Sequence, residues 1–107
     1  MDESRMLEVA KELLNRSKEG KIKWEGGPFG NSYMVKFPDL RIIISREVND
    51  YVLSLVNEKD RITDSISSTS FEFTTKEVLQ EIYDSARRQV LDIPSSIDKT
   101  LEYLRRE

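Results

Sequence analysis

Three sets of residues in this chain have the types and spacing to do chemistry: carboxylates, a glycine cluster and paired arginines. The 20 Asp and Glu residues would suffice for a two-carboxylate hydrolytic site, where one acid protonates a leaving group and the other activates water. Most of them fall on the outer faces of amphipathic segments or in turns, where a solvated charge is the default. Gly26, Gly27 and Gly30 could cradle a phosphate with backbone N–H groups. They run into a strand-like segment, however, and not into a helix whose N-terminus would complete the cradle. They match neither the P-loop nor the dinucleotide fingerprint, so residues 26–31 read as a flexible loop. Arg87-Arg88 and Arg105-Arg106 could grip phosphates, but each has a nearer partner. Helical spacing offers Asp84 to Arg88, Glu102 to Arg106 and the Tyr83 ring to Arg87.

The residues that are missing say more. The chain has no histidine and no cysteine. It therefore lacks the usual neutral-pH acid–base group, a thiolate nucleophile, any disulfide and any Cys/His metal set. D-x-D, H-E-x-x-H and G-x-S-x-G are also absent. The expectation is a non-enzymatic protein that uses no cofactor and no metal. With 17 basic against 20 acidic residues the net charge is -3. That argues against a nucleic-acid binder driven by a basic excess, although Lys21, Lys23, Lys36 and Arg41 keep a basic rim as the alternative reading.

The chemistry is thin, so the elements that would position it carry the reading. The 107 residues, 35% charged and 37% apolar, suit a single globular domain spanning 1–107. No apolar run has the length of a signal peptide or a membrane span, which predicts a cytoplasmic protein with no membrane partner. Residues 2–19 read as a helix with Met6, Leu7, Ala10, Leu13 and Leu14 on one face, closed by Gly20. Residues 21–24, 32–37, 40–45, 51–56 and 61–67 read as strands. The loop 26–31, Pro38-Asp39, Val48-Asn49-Asp50 and residues 57–60 join them, and such short links imply an antiparallel meander. Phe71 and Phe73 suggest a short sixth strand. Thr74 and Glu77 form a capping box ahead of a helix with Val78, Leu79, Ile82, Tyr83, Ala86 and Val90 on one face. Asp92-Ile93-Pro94 breaks it. Ser95 or Ser96 then caps a third helix carrying a narrow stripe of Ile97, Leu101 and Leu104. The predicted fold class is α+β: an N-terminal helix, an antiparallel meander sheet of about five strands, and two C-terminal helices packed on one sheet face.

Alternation along the strands sorts the side chains onto two faces. One collects Ile22, Trp24, Tyr33, Val35, Phe37, Leu40, Ile42, Ile44, Tyr51, Leu53 and Leu55, and must be the side the helices cover. The other is mixed, with Lys36 and Arg41 rimming an aliphatic centre of Met34, Ile43, Val52 and Val56. Its plain reading is a solvated or partly covered face. Its sharper reading is an interaction surface for a protein partner or for self-association as a homodimer. Phe29, at the loop tip, joins it as a candidate anchor. Single-stranded RNA binding would need aromatics on this face, and it has none. Asp64 falls on the helix side with Ile62 and Ile66, where an inward charge guards an edge strand against stray pairing.

The segments Leu13-Leu14, Gly20-Lys21-Ile22-Lys23-Trp24-Glu25, Tyr51-Val52-Leu53-Ser54-Leu55-Val56-Asn57-Glu58 and Tyr83-Asp84-Ser85-Ala86-Arg87-Arg88-Gln89 carry a resemblance. Together they resemble small stand-alone bacterial hypothetical proteins. The resemblance implies a bacterial, cytoplasmic, single-domain protein, and it brings no activity or site residues with it.

Overall fold

The computed structural model describes residues 3–48, 50–68 and 73–106. In chain order it has α1 (Glu3–Lys18), β1 (Glu25–Gly26), β2 (Ser32–Lys36), β3 (Leu40–Glu47), β4 (Asp50–Asn57), β5 (Ile62–Ser67), α2 (Phe73–Leu91) and α3 (Ile93–Arg105). The strands form one sheet in the order β1-β2-β3-β4-β5, and every neighbouring pair is antiparallel. This is the α+β meander that the short turns predict. Phe73 opens α2 and is no strand residue, while Phe71 and Asn49 lie outside the described residues.

One sheet face takes the helices. Val35, Ile42, Ile44, Leu53 and Ile66 are buried against Met6, Ala10, Leu13 and Leu14 of α1 and Leu79, Ile82, Tyr83 and Ala86 of α2. Each large apolar side chain withdrawn from water contributes about 1.5–3 kcal/mol. The Tyr83 ring sits edge-on to Tyr33 at 5.3 Å and tilted against Tyr51 at 5.5 Å. Burial, with Tyr33 close by, raises the Tyr83 hydroxyl above its ordinary pKa of 10.0.

Residues 21–24 differ from expectation in an instructive way. Ile22 and Trp24 are buried while Lys21 and Lys23 are exposed, as alternation predicts. Yet only Glu25 and Gly26 join the sheet. The backbone of the preceding residues is held by a side chain of α2. The Gln89 amide donates to the Ile22 carbonyl at 3.0 Å and accepts the Trp24 N–H, so one glutamine supplies the donor and acceptor a neighbouring strand would have offered. The Trp24 indole N–H donates to Ser17 Oγ of α1 at 3.0 Å, and Ser17 Oγ meets Ser85 Oγ of α2 at 2.8 Å. Three elements are thus tied where they converge.

A register shift between β4 and β5 produces the second difference. Leu55 pairs with Asp64 but Val56 pairs with Ile62, leaving Thr63 as an extra residue. The bulge turns Ile62 to the opposite face, where it is exposed, instead of leaving it with Asp64 and Ile66. Asp64 stays opposite Leu55 on the helix side of an edge strand.

The third difference lies at the C-terminus. Asp92 alone separates α2 from α3, in a left-handed conformation (φ 50°, ψ 51°), and Pro94 occupies the first turn of α3. Proline suits that position, since its missing N–H would be unsatisfied there anyway. The helix therefore starts at Ile93, ahead of the Ser95 or Ser96 expected as its cap. The left-handed residue turns the chain away from the sheet. Every α3 side chain described is exposed, so of the two C-terminal helices only α2 lies against the sheet. The radius of gyration is 15.5 Å and the molecule measures 60 × 32 × 27 Å. A compact chain of this length would have a radius near 13 Å.

Gln89→Leu removes both bonds to the 22–24 backbone while keeping the side chain's bulk. Leaving a part-buried donor and acceptor unpaired costs about 1–2 kcal/mol after allowance for solvent. The expected outcome is a lower urea midpoint, followed by the fluorescence of the single tryptophan. Gln89→Glu keeps the acceptor for the Trp24 N–H but sets a carboxylate oxygen against the Ile22 carbonyl, so it should lower the midpoint too, and an unchanged midpoint in both variants would refute the role given to this amide.

Candidate functional site

The sheet face away from the helices is organised by cross-strand pairing. Met34 lies opposite Ile43, Ile43 opposite Ser54, and Arg41 opposite both Lys36 and Val56. Met34, Ile43 and Val56 form a small cluster of their own at 9%, 8% and 6% exposure. No described helix residue belongs to it. The aliphatic centre is therefore shielded within the chain, flanked by the buried Ser32 and Ser45. What the face offers a partner is the half-buried Val52, the exposed Ile62 and its charged rim. Lys36 is exposed and pairs with Glu25 at 3.6 Å. Arg41 is half-buried and pairs with Asp60.

Phe29 is exposed at the tip of its loop and stands outside that cluster. The loop itself is an organised turn. Ser32 Oγ donates to the Phe29 carbonyl at 2.6 Å and accepts the Phe29 N–H at 3.3 Å, and the Gly27 N–H reaches the Ser32 carbonyl at 3.0 Å. A Cβ on Gly27 would fall 2.1 Å from Ser32 Oγ, so the loop closes this tightly only around glycine.

Three of the four basic residues of the rim meet an acid: Lys21 pairs with Glu19 at 3.4 Å, beside the Lys36 and Arg41 pairs, while Lys23 is exposed. A cation held by a neighbouring carboxylate has less field to spend on a phosphate backbone. Trp24, Tyr33 and Tyr51 lie on the helix side with the core. Among the described residues no group of three acidic side chains could hold a metal ion, and no helix is long and apolar enough to cross a membrane.

Two features escape a reading of strand faces. One is a groove of about 670 Å³ beside α1, whose lining includes Leu13, Ile22, Phe37 and Ile42 together with Glu12 and Arg16. Those two charges are joined at 3.2 Å. The groove exists because α1 leaves Phe37 uncovered. The other is α3. Its stripe of Ile97, Leu101 and Leu104 is 54%, 39% and 73% exposed, with Leu91 also exposed at the elbow. The spacing of these residues already marks an apolar stripe. Only the left-handed Asp92 reveals that nothing in the described chain lies beneath it. Arg106 takes Glu102 at 3.1 Å, as the spacing predicts, and lies 5.3 Å over the Tyr103 ring.

Burial separates the residues of the second sheet face by experiment. Ile43→Asp puts a carboxylate into the Met34–Ile43–Val56 cluster and should cost more than about 3 kcal/mol. Val52→Asp, at a half-buried site, should cost less than half as much. Thermal melts of both variants check this, and a tolerated Ile43→Asp would show that the cluster opens readily. Comparisons with protein-family models, with curated proteins and with solved structures found no match to this chain.

Proposed function

We propose that this chain is a small non-enzymatic protein-interaction module of the bacterial cytoplasm, and that α3 is the element it presents. One observation carries the reading. A 13-residue helix stands clear of the sheet with its apolar stripe in water. Single exposed apolar side chains are ordinary, but three at positions i, i+4 and i+7 make the contiguous stripe that an amphipathic helix offers to a partner. Support comes also from the make-up of the chain, which lacks histidine and cysteine, and from a sheet whose own apolar clusters are buried.

The mechanism is apolar burial of a preformed helix. Pro94 lies in the first turn of α3, and its fixed φ limits the alternatives open to the unbound chain, so less ordering remains to be done on binding. The ion pair from Arg106 to Glu102 lies off the stripe and leaves it free of charge.

Full-length protein, tagged at the N-terminus, tests this as bait in a nuclease-treated lysate of its native cells. The wild type is expected to retain one stoichiometric protein, which includes an untagged copy of this chain. Leu101→Asp/Leu104→Asp should retain none, with a thermal melt unchanged because both side chains already face solvent. If the two baits retain the same proteins, or if neither retains any, the interaction reading fails.

A further inference from the structure

We infer that α3 pairs with α3 of a second copy of this chain, antiparallel, about a twofold axis through the middle of the Ile97–Leu101–Leu104 stripe. The inference deepens the interaction reading and rests on it. Its occupant is chosen by charge. On a helix with 100° between residues, Ile97, Leu101 and Leu104 lie within about 60° of one another. Asp98 and Arg105 both flank the stripe on the same side, seven residues apart, and so sit about 10 Å from each other along the axis. One end of that flank is negative and the other positive. The opposite flank carries Thr100, which is neutral.

A twofold axis perpendicular to two side-by-side helices sets like flank against like flank and reverses their direction. Asp98 then lies across from the partner's Arg105, and Arg105 across from the partner's Asp98. The same operation places Ile97 beside the partner's Leu104 and Leu101 against the partner's Leu101. Each charge on the flank meets its opposite once, giving two ion pairs across the axis, and every apolar residue of the stripe is covered. In a parallel pair the charged flank would face the neutral one, so neither Asp98 nor Arg105 would gain a partner. The ion pairs available inside α3 leave this complement intact, because Arg106 is the residue that takes Glu102. The exposed elbow residue Leu91 lies next to α3 and can extend the covered area.

Two 13-residue helices make a contact smaller than the ~1,200 Å² of a stable standard interface. The dimer is therefore concentration-dependent, and sedimentation equilibrium should span from about 10 μM to about 1 mM. The full-length wild type is expected to dimerise across that range. Leu101→Asp should be monomeric throughout, with its circular dichroism unchanged. Asp98→Arg or Arg105→Asp alone sets like charges face to face and should weaken the dimer by at least about tenfold. The double variant Asp98→Arg/Arg105→Asp should recover to within about threefold of the wild type, which a partner other than a second copy would not produce. A wild type that stays monomeric, a dimer indifferent to Leu101→Asp, or a double variant no tighter than the singles overturns the pairing. A monomeric wild type that still captures a partner through Leu101 and Leu104 would overturn the pairing alone and leave the interaction reading standing.

Discussion

The side-chain amide of Gln89 decides where this fold begins. An extended segment with alternating apolar residues needs partners for its backbone, and residues 22–24 leave the sheet with none from a strand. A donor and an acceptor from one side chain close onto the Ile22 carbonyl and the Trp24 N–H. That contact fixes the C-terminal half of α2 against the chain entering the sheet. Trp24 is thereby aimed so that its indole N–H finds Ser17 of α1, and Ser17 in turn meets Ser85 of α2. The two helices are held at the angle that lets one sheet face bury both. Buried polar groups of this kind are costly unless satisfied, and among the described residues no buried side-chain polar atom lacks a partner.

The end of α2 leads directly into α3. Gln89 anchors the last turns of α2, and three residues later Asp92 takes its left-handed conformation. Asp is one of the few residues besides glycine that visit that geometry, and the Asp92 N–H bonds the Gln89 carbonyl at 3.3 Å. The N–H of Ser96 bonding the Asp92 carbonyl at 3.1 Å locks the first turn beyond. The body of the protein and its projecting helix thus form one continuous piece of backbone, with no linker between them.

Much of this was legible in the residues. Alternation placed Val35, Ile42, Ile44 and Leu53 on the helix side, and the 3.6-residue period placed Met6, Ala10, Leu79 and Ile82 opposite them. The misreadings have a common origin: periodicity reports which side chains are buried, and not what their backbone bonds to or what lies across from them. It could not show that Gln89 replaces a strand at residues 22–24. It could not register the bulge at Thr63, which reverses the alternation for Ile62. It marked the stripe of α3 correctly and could not say that the stripe lies over nothing in the described chain. The aliphatic centre on the second face was visible as a pattern, but alternation could not show that Met34, Ile43 and Val56 are buried without a helix over them.

The long dimension of the molecule has a hydrodynamic consequence. A body about 30 Å across with a rod-like extension to 60 Å drags more solvent than a sphere of equal mass. A single copy therefore migrates through a gel-filtration column ahead of globular standards of 12.5 kDa. It also tumbles faster about its long axis than end over end. Amide vectors along α3, which share one direction, then relax differently from those at other angles to the long axis.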